Sequence, residues 1–329
     1  MDNFRVNIWS DDEYTYPAAY GFVPNLRVYM HDDNAQRPAM VVVPGGGYCM
    51  VVHTEGEIVA EEFFKRGMNV FVLTYTTDIT TSAPLKMQPS SDLSRAIRHI
   101  RSNYKKYNII PEKLTVCGFS AGAHVCGTLA VHYEDIVDVK YDVSNRPDAV
   151  ILCYPVITTG PLTHEYSVIS LLGRDASEEE LLYFSLEKQV SDKTPPVFLW
   201  QTVEDDLVPV ENSMMMAQAL KEKGIPYAYY AFPHGRHGLS AANDRMRKGD
   251  FGEPYTFEQL NYAIENVKNG TAYNLSDDRR RELLKQFGDV PSEEKNDDNN
   301  SADNAPMINE DVALWPVLAE YWLRSLGII

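Results

Sequence analysis

The chain is 329 residues long, 44% hydrophobic and 23% charged, a globular composition with room for one large domain or two small ones and an ample core. Asp and Glu number 47 against 30 Lys and Arg, and the formal net charge of −17 disfavours nucleic acid or an anionic membrane surface as the main partner. No apolar run approaches the roughly 18 residues of a membrane span, and Cys49, Cys117, Cys126 and Cys153 show neither metal-ligand nor CxxC spacing, so no membrane span, metal site or disulfide framework is expected.

The N-terminal Met1-Asp2-Asn3-Phe4-Arg5 lacks the basic and apolar regions of a secretory leader, and a cytoplasmic protein is expected. Residues 1–24 read as a surface arm leading to a strand near 26–30. Ala39-Met40-Val41-Val42-Val43 is the continuous apolar run of a strand buried on both faces, broken by Pro44-Gly45-Gly46-Gly47-Tyr48. A helix over about 55–66 follows, with Val59 and Phe63 one turn apart and Gly67 as its stop. Val70-Phe71-Val72-Leu73 marks the next buried strand, 69–75. Ser90 or Ser91 is placed to cap a helix whose Leu93, Ala96, Ile97, Ile100 and Tyr104 share one face. A strand at 114–117 then runs into Gly118-Phe119-Ser120-Ala121-Gly122 and a small-residue helix over 123–130. Apolar strands recur at 148–154, 195–202 and 227–232, with a helix over 212–223 ended by Gly224. This alternation predicts an α/β fold with a doubly wound, mostly parallel sheet, helices on both faces and a single domain over 1–329.

Two stretches interrupt it. Residues 156–194 are longer than one crossover helix needs, carry helical patterns at 166–172 and 178–188, and could form a partial cap. Residues 241–308 read as a helical insertion before the last helix. There Thr256-Phe257-Glu258-Gln259 has the form of a capping box, and Ser276 is placed to cap a helix bearing Leu283, Leu284 and Phe287. The polar segment 292–304 has no apolar face to bury and reads as a linker. Trp315, Ala319, Trp322 and Leu326 fall at helical spacing, with Pro316 suited to the first turn.

The chemistry-bearing residues fall at successive strand ends. A strand, a sharp turn with serine at its apex and a helix are the context of a G-x-S-x-G nucleophile elbow, which makes Ser120 the candidate nucleophile. A serine hydroxyl needs a histidine to take its proton and a carboxylate to hold the imidazole. Glu204-Asp205-Asp206 follows one strand, and Asp205 is chosen as the acid over the reading of all three as a solvated turn. Pro233-His234-Gly235-Arg236-His237-Gly238 follows the next, and His237 is favoured over His234 as the base. His124, inside the helix after the elbow, reads as a core or capping histidine, and His53, His99, His132 and His164 carry no signal. Pro44-Gly45-Gly46-Gly47 lies where an oxyanion loop is expected, so the N–H groups of Gly46, Gly47 and Ala121 are the candidate oxyanion donors. Neither phosphate-loop glycine pattern is present, and no cofactor is expected.

The segments PGGGY at 44–48, TEGEIVAEEF at 54–63, VFVLTY at 70–75, GFSAGAH at 118–124, EDDLVPVENS at 204–213 and PHGRHGLS at 233–240 resemble the acetylesterase branch of the α/β-hydrolases, which includes acetyl-xylan and feruloyl carbohydrate esterases. The resemblance covers about 38–240 and the last helix. It departs in GAH, where many members read GGH, and in the 241–308 insertion. It implies a metal-independent serine carboxylesterase acting through an acyl-enzyme on a small-molecule ester, with acetyl groups on sugars or xylo-oligosaccharides as the expected substrates. An amidase or prolyl-oligopeptidase-like peptidase is the alternative within hydrolases. A catalytically silent binding protein is the alternative outside them, and a homo-oligomer is left open. Tyr48, Tyr154 and Trp200 are candidates to stack on sugar rings, set against packing as the ordinary role of aromatics in a chain with 20 tyrosines.

Overall fold

A computed structural model describes residues 2–10, 12–288 and 310–329. Eight strands form one sheet: β1 (Asp2–Asn7), β2 (Asn25–Met30), β3 (Arg37–Val43), β4 (Asn69–Thr74), β5 (Ile109–Phe119), β6 (Ala149–Cys153), β7 (Val197–Thr202) and β8 (Tyr227–Phe232). Their order across the sheet is β1-β2-β4-β3-β5-β6-β7-β8. β1 and β2 pair antiparallel at one edge, and every pair from β4 onward is parallel. The surface arm expected at 1–24 therefore begins with a strand, β1, whose Asp2–Asn7 register runs against β2.

The apolar strands are buried on both faces, as their unbroken hydrophobic runs require. Side-chain alternation divides them: Ala39, Val41 and Val43 enter one core, Met40 and Val42 the other. The first core is closed by α2 (Gln88–Ser102), α3 (Ala121–His132) and α7 (Glu211–Glu222). The second is closed by α1 (Glu57–Lys65) and by the C-terminal helix α11 (Trp315–Ser325), with Pro316 in its first turn. The four cysteines are buried free thiols. Among the described residues no helix is long and apolar enough to cross a membrane.

Several boundaries differ from expectation for local reasons. α1 starts at Glu57, because His53–Glu55 makes a separate 3-10 turn that aims Glu55 inward. α2 starts at Gln88 with Pro89 in its first turn, so Ser90 and Ser91 lie inside the helix and Ser90 Oγ instead reaches the Val125 carbonyl at 3.5 Å. The helix expected over 178–188 breaks at Ser185 into α5 (Glu178–Phe184) and α6 (Leu186–Gln189), while α4 (Glu165–Leu172) precedes them.

After β8 come α8 (Asp244–Arg247), α9 (Glu258–Asn269) and α10 (Asp277–Phe287). The expected capping box does not form at α9: its N-cap is Phe257, and Gln259 is drawn away to accept the Thr77 N–H at 2.8 Å. Ser276 does cap α10, accepting the Arg279 N–H at 3.3 Å. α9 and α10 bury Ala263, Val267 and Leu283 against Cys49 and Ile79, beside the glycine loop that follows β3. The expected linker at 292–304 lies outside the described residues.

Candidate active site

β5 is central in the sheet, and its C-terminal end delivers Ser120 to the turn before α3. Ser120 sits at φ 53, ψ −119, a conformation that L-residues adopt only when the surroundings enforce it. The flanking residues show why they are glycine. A Cβ at Gly118 would lie 2.4 Å from the Gly122 carbonyl oxygen, and one at Gly122 would lie 2.1 Å from the Val43 oxygen. The elbow is therefore wedged between its own helix and the end of β3, and only residues without side chains let it close.

Ser120 Oγ lies 2.9 Å from His237 Nε2, and His237 Nδ1 lies 2.8 and 3.0 Å from the two oxygens of Asp205. Nδ1 facing a carboxylate carries the proton, which leaves Nε2 as the acceptor for the serine O–H. The Asp205 side chain is fully buried. It is held at Oδ1 by the Leu207 and Val208 N–H groups at 3.0 and 2.8 Å and at Oδ2 by Gln201 Nε2 at 3.3 Å. Gln201 is in turn fixed by the Ser213 hydroxyl at 2.6 Å.

The three acids after β7 have distinct partners. Glu204 pairs with the exposed His234 at 2.8 Å, and Asp206 accepts the backbone N–H of His237 at 3.0 Å. That bond holds the Asp206 carboxyl below the usual aspartate range. The structure thus brings Ser120, Asp205 and His237 together, with His234 outside the row.

The glycine loop after β3 lies against this row. Gly46 has φ 124, and a Cβ there would sit 2.2 Å from the Met50 carbonyl oxygen. The loop is fastened at Pro44, whose carbonyl accepts the Tyr75 hydroxyl at 2.8 Å, and at Gly45, whose N–H donates to Glu55 Oε2 at 2.6 Å. Among the described residues the N–H groups of Gly46, Gly47 and Ala121 have no protein acceptor, and Ala121 opens α3, where no preceding turn supplies one.

Neither ring nitrogen of His124 is bonded to the serine. Its Nε2 lies 2.9 Å from the Phe184 carbonyl and so carries the proton, while Nδ1 accepts the Tyr48 hydroxyl at 2.7 Å. Burial pushes this imidazole down to about 4, so it stays neutral. It is a core histidine tying the glycine loop to α3. Tyr48, Tyr154 and Trp200 are each no more than 2% exposed, and this overturns their candidacy as stacking platforms for sugars. Tyr154 and Trp200 form the wall behind the site, where Tyr154 meets Trp200 edge-on at 5.0 Å and Trp200 stacks on Trp315 at 5.4 Å, while Tyr48 packs in the first core against His124.

Two residues to which the sequence assigns no role stand close to the row. Half-buried His164, at the start of α4, holds Ser167 Oγ at 2.7 Å from Nδ1, and both flank the open side of Gly47. Burial pushes its titration down, and the neighbouring His237 adds to the effect. Glu55 is 3% exposed and receives the Tyr154 hydroxyl at 2.7 Å in addition to Gly45. Its only hints are its position shortly after the glycine triplet and its place in the 54–63 segment that carries the resemblance, and an acid ahead of a helix is ordinarily read as a first-turn residue in solvent.

A mostly parallel sheet with a Ser–His–Asp row at the ends of β5, β7 and β8 is the arrangement of an α/β-hydrolase. The chain belongs to the BD-FAE family, which residues 26–220 match. It is 60% identical over 262 residues to endo-1,4-beta-xylanase B of Butyrivibrio fibrisolvens, covering 79% of this chain and 41% of that protein. It is 31% identical over 213 residues to an acetylxylan esterase of Xylanibacter ruminicola, covering 63% of this chain and 42% of that one. The chain therefore spans about two fifths of the length of these curated relatives. An acetyl ester-xyloside bifunctional hydrolase from Caldicellulosiruptor lactoaceticus superimposes with a TM-score of 0.69 at 35% identity, over 82% of this chain and 97% of that one.

Proposed function

We propose that the protein is a serine carboxylesterase that removes short acyl groups, acetyl above all, from sugars or xylo-oligosaccharides. The observation that carries the reading is the continuous row from Ser120 Oγ through His237 to Asp205, at 2.9 and 2.8 Å. In this mechanism His237 Nε2 accepts the serine proton as Oγ attacks the ester carbonyl carbon. Asp205 holds the imidazole in its Nδ1–H tautomer and stabilises the imidazolium that forms. The carbonyl oxygen becomes an oxyanion, for which the N–H groups of Gly46, Gly47 and Ala121 are the available donors. Collapse expels the alcohol, which takes the proton from His237. Water then attacks the acyl-serine by the same route in reverse, regenerating Ser120 and releasing the acid.

The acetyl-on-sugar part of the reading is supported by similarity to a protein named an acetylxylan esterase and to one named an acetyl ester-xyloside bifunctional hydrolase. The xylanase name of the Butyrivibrio relative describes a chain of which this one covers only 41%. Glycoside hydrolysis uses a carboxyl pair flanking the sugar bond, whereas the group presented at this elbow is a serine hydroxyl.

The test is a rate profile over p-nitrophenyl esters of increasing acyl length and over acetylated xylo-oligosaccharides, with Ser120→Ala as control. Acetate is expected to be the best acyl group. Ser120→Ala is expected to abolish turnover with an unchanged circular-dichroism spectrum. Aminoacyl-anilide cleavage exceeding ester cleavage would replace the reading with a peptidase, and an active Ser120→Ala variant would end it.

A further inference from the structure

We infer that Glu55 is a positioning residue for catalysis: its buried carboxylate ties the glycine loop to the histidine loop, holding the two halves of the site in one geometry. The inference rests on the esterase reading above and adds a residue that neither touches substrate nor belongs to the Ser–His–Asp row.

The bonds run without a break. Gly45 N–H donates to Glu55 Oε2 at 2.6 Å, and the Tyr154 hydroxyl donates to Glu55 Oε1 at 2.7 Å. The same Tyr154 oxygen accepts the Ser240 N–H at 2.9 Å, three residues beyond His237. Ser240 is further held by its own hydroxyl on the Thr54 carbonyl at 2.6 Å and by Trp315 Nε1 on its carbonyl at 2.9 Å. The Tyr154 ring lies edge-on against the His237 imidazole, centroids 4.8 Å apart.

Two features separate this arrangement from ordinary packing. First, both linking residues are strained, Tyr154 at φ 37 and Ser240 at φ 53, as is Ser120 at φ 53. Positive φ in a tyrosine is costly and persists only where the surroundings over-determine it. Second, among the described residues no arginine or lysine pairs with Glu55. Burying a carboxylate with no cation is unfavourable, and burial does push its titration up, with the Gly45 and Tyr154 bonds pulling it back. What the carboxylate supplies is an acceptor-only group facing two donors. A glutamine of the same shape would have to turn its NH₂ toward one of them.

The test compares Glu55→Gln and Tyr154→Phe with the wild type in p-nitrophenyl acetate turnover, in melting temperature and in the rate at which a fluorophosphonate modifies Ser120. The expected result is a fall in kcat of ~10²-fold for Glu55→Gln, the size seen when one oxyanion donor is misplaced, with KM changed less than twofold. Phosphonylation is expected to slow in parallel. Tyr154→Phe should lower kcat by at least tenfold, and the double variant should be no worse than Glu55→Gln alone, because both changes cut one chain of bonds. A lowered melting temperature with kcat retained in the folded fraction would make Glu55 a stability residue and overturn the inference. So would kcat within twofold of wild type in both variants. If Glu55→Gln does not fold, Tyr154→Phe decides alone by the same criterion. A wild type that is phosphonylated but does not turn over the acetate would sink the ester reading, while the phosphonylation rates of the variants still decide the role of Glu55.

Discussion

At Gly122 the cost of a side chain can be read from the backbone, since a Cβ would stand 2.1 Å from the Val43 carbonyl oxygen. Gly122→Ala must move the elbow or β3, and overpacking of this kind costs ~1–3 kcal/mol or more. A melt should show a fall of several degrees together with loss of Ser120 reactivity. An unchanged melt and unchanged labelling would mean that the elbow does not need this approach. His124 sets a pH dependence. Its imidazole titrates at about 4 in the fold and near 6.5 when unfolded, so the unfolded chain takes up the proton first. Its contribution to stability is present above about 6.5 and is lost as pH falls through about 4. Buried Asp92, pushed up to about 6, has the opposite sign: its contribution is present below the ordinary carboxylate range and lost as pH rises through about 6. The two overlap, so the informative quantity is the difference in melting temperature between wild type and His124→Gln. That difference should shrink as pH falls from about 6.5 to about 4, and a constant difference would contradict the burial account. At this scale Ser120, Asp205 and His237 were legible because each closes a recognisable strand. Glu55 was not, because nothing in His53-Thr54-Glu55-Gly56-Glu57 distinguishes an inward carboxylate in a 3-10 turn from a solvated acid at a helix start.

Among the elements, the buried strands were the most legible, since unbroken Val/Ile/Leu runs leave few alternatives. β8 has the bounds that its pattern predicts, Tyr227–Phe232. β1 is not apparent in the sequence, because Asp2–Asn7 alternates only weakly and is made a strand by its pairing with β2. The capping box at α9 failed for a tertiary reason that the local pattern cannot carry: Gln259 is recruited to Thr77, 182 residues away. The helices after β8 meet the segment after β6 at one arginine. Arg279 Nη2 donates to the Ile79 carbonyl at 2.7 Å and to the Tyr166 hydroxyl at 2.6 Å. Hydrogen bonds that involve a charged group are worth ~1.5–3 kcal/mol each, less where solvent reaches them. Arg279→Ala should therefore raise hydrogen exchange across α10 and α4 selectively, leaving β5 and α3 protected. Unchanged exchange in α10 would show that its apolar contacts with Cys49 and Ile79 suffice.

Across the whole molecule, the order of the strands places the ends of β3, β5, β7 and β8 on one rim of the sheet, where ligands of such sheets bind. The wall of Tyr154, Trp200 and Trp315 behind that rim comes from three distant parts of the chain. This is why aromatics that suggested sugar platforms in the sequence turn out to be packing. We read 156–194 as a partial cap and 241–308 as an insertion within a single domain, the arrangement that makes the Arg279 contact matter. The most direct measurement of the central claim is fluorophosphonate labelling of the full chain followed by peptide mapping. One adduct per chain is expected, on Ser120, abolished by Ser120→Ala and slowed by His237→Ala in step with p-nitrophenyl acetate turnover. An adduct on any other residue, or no adduct in a chain that still hydrolyses the acetate, would contradict it.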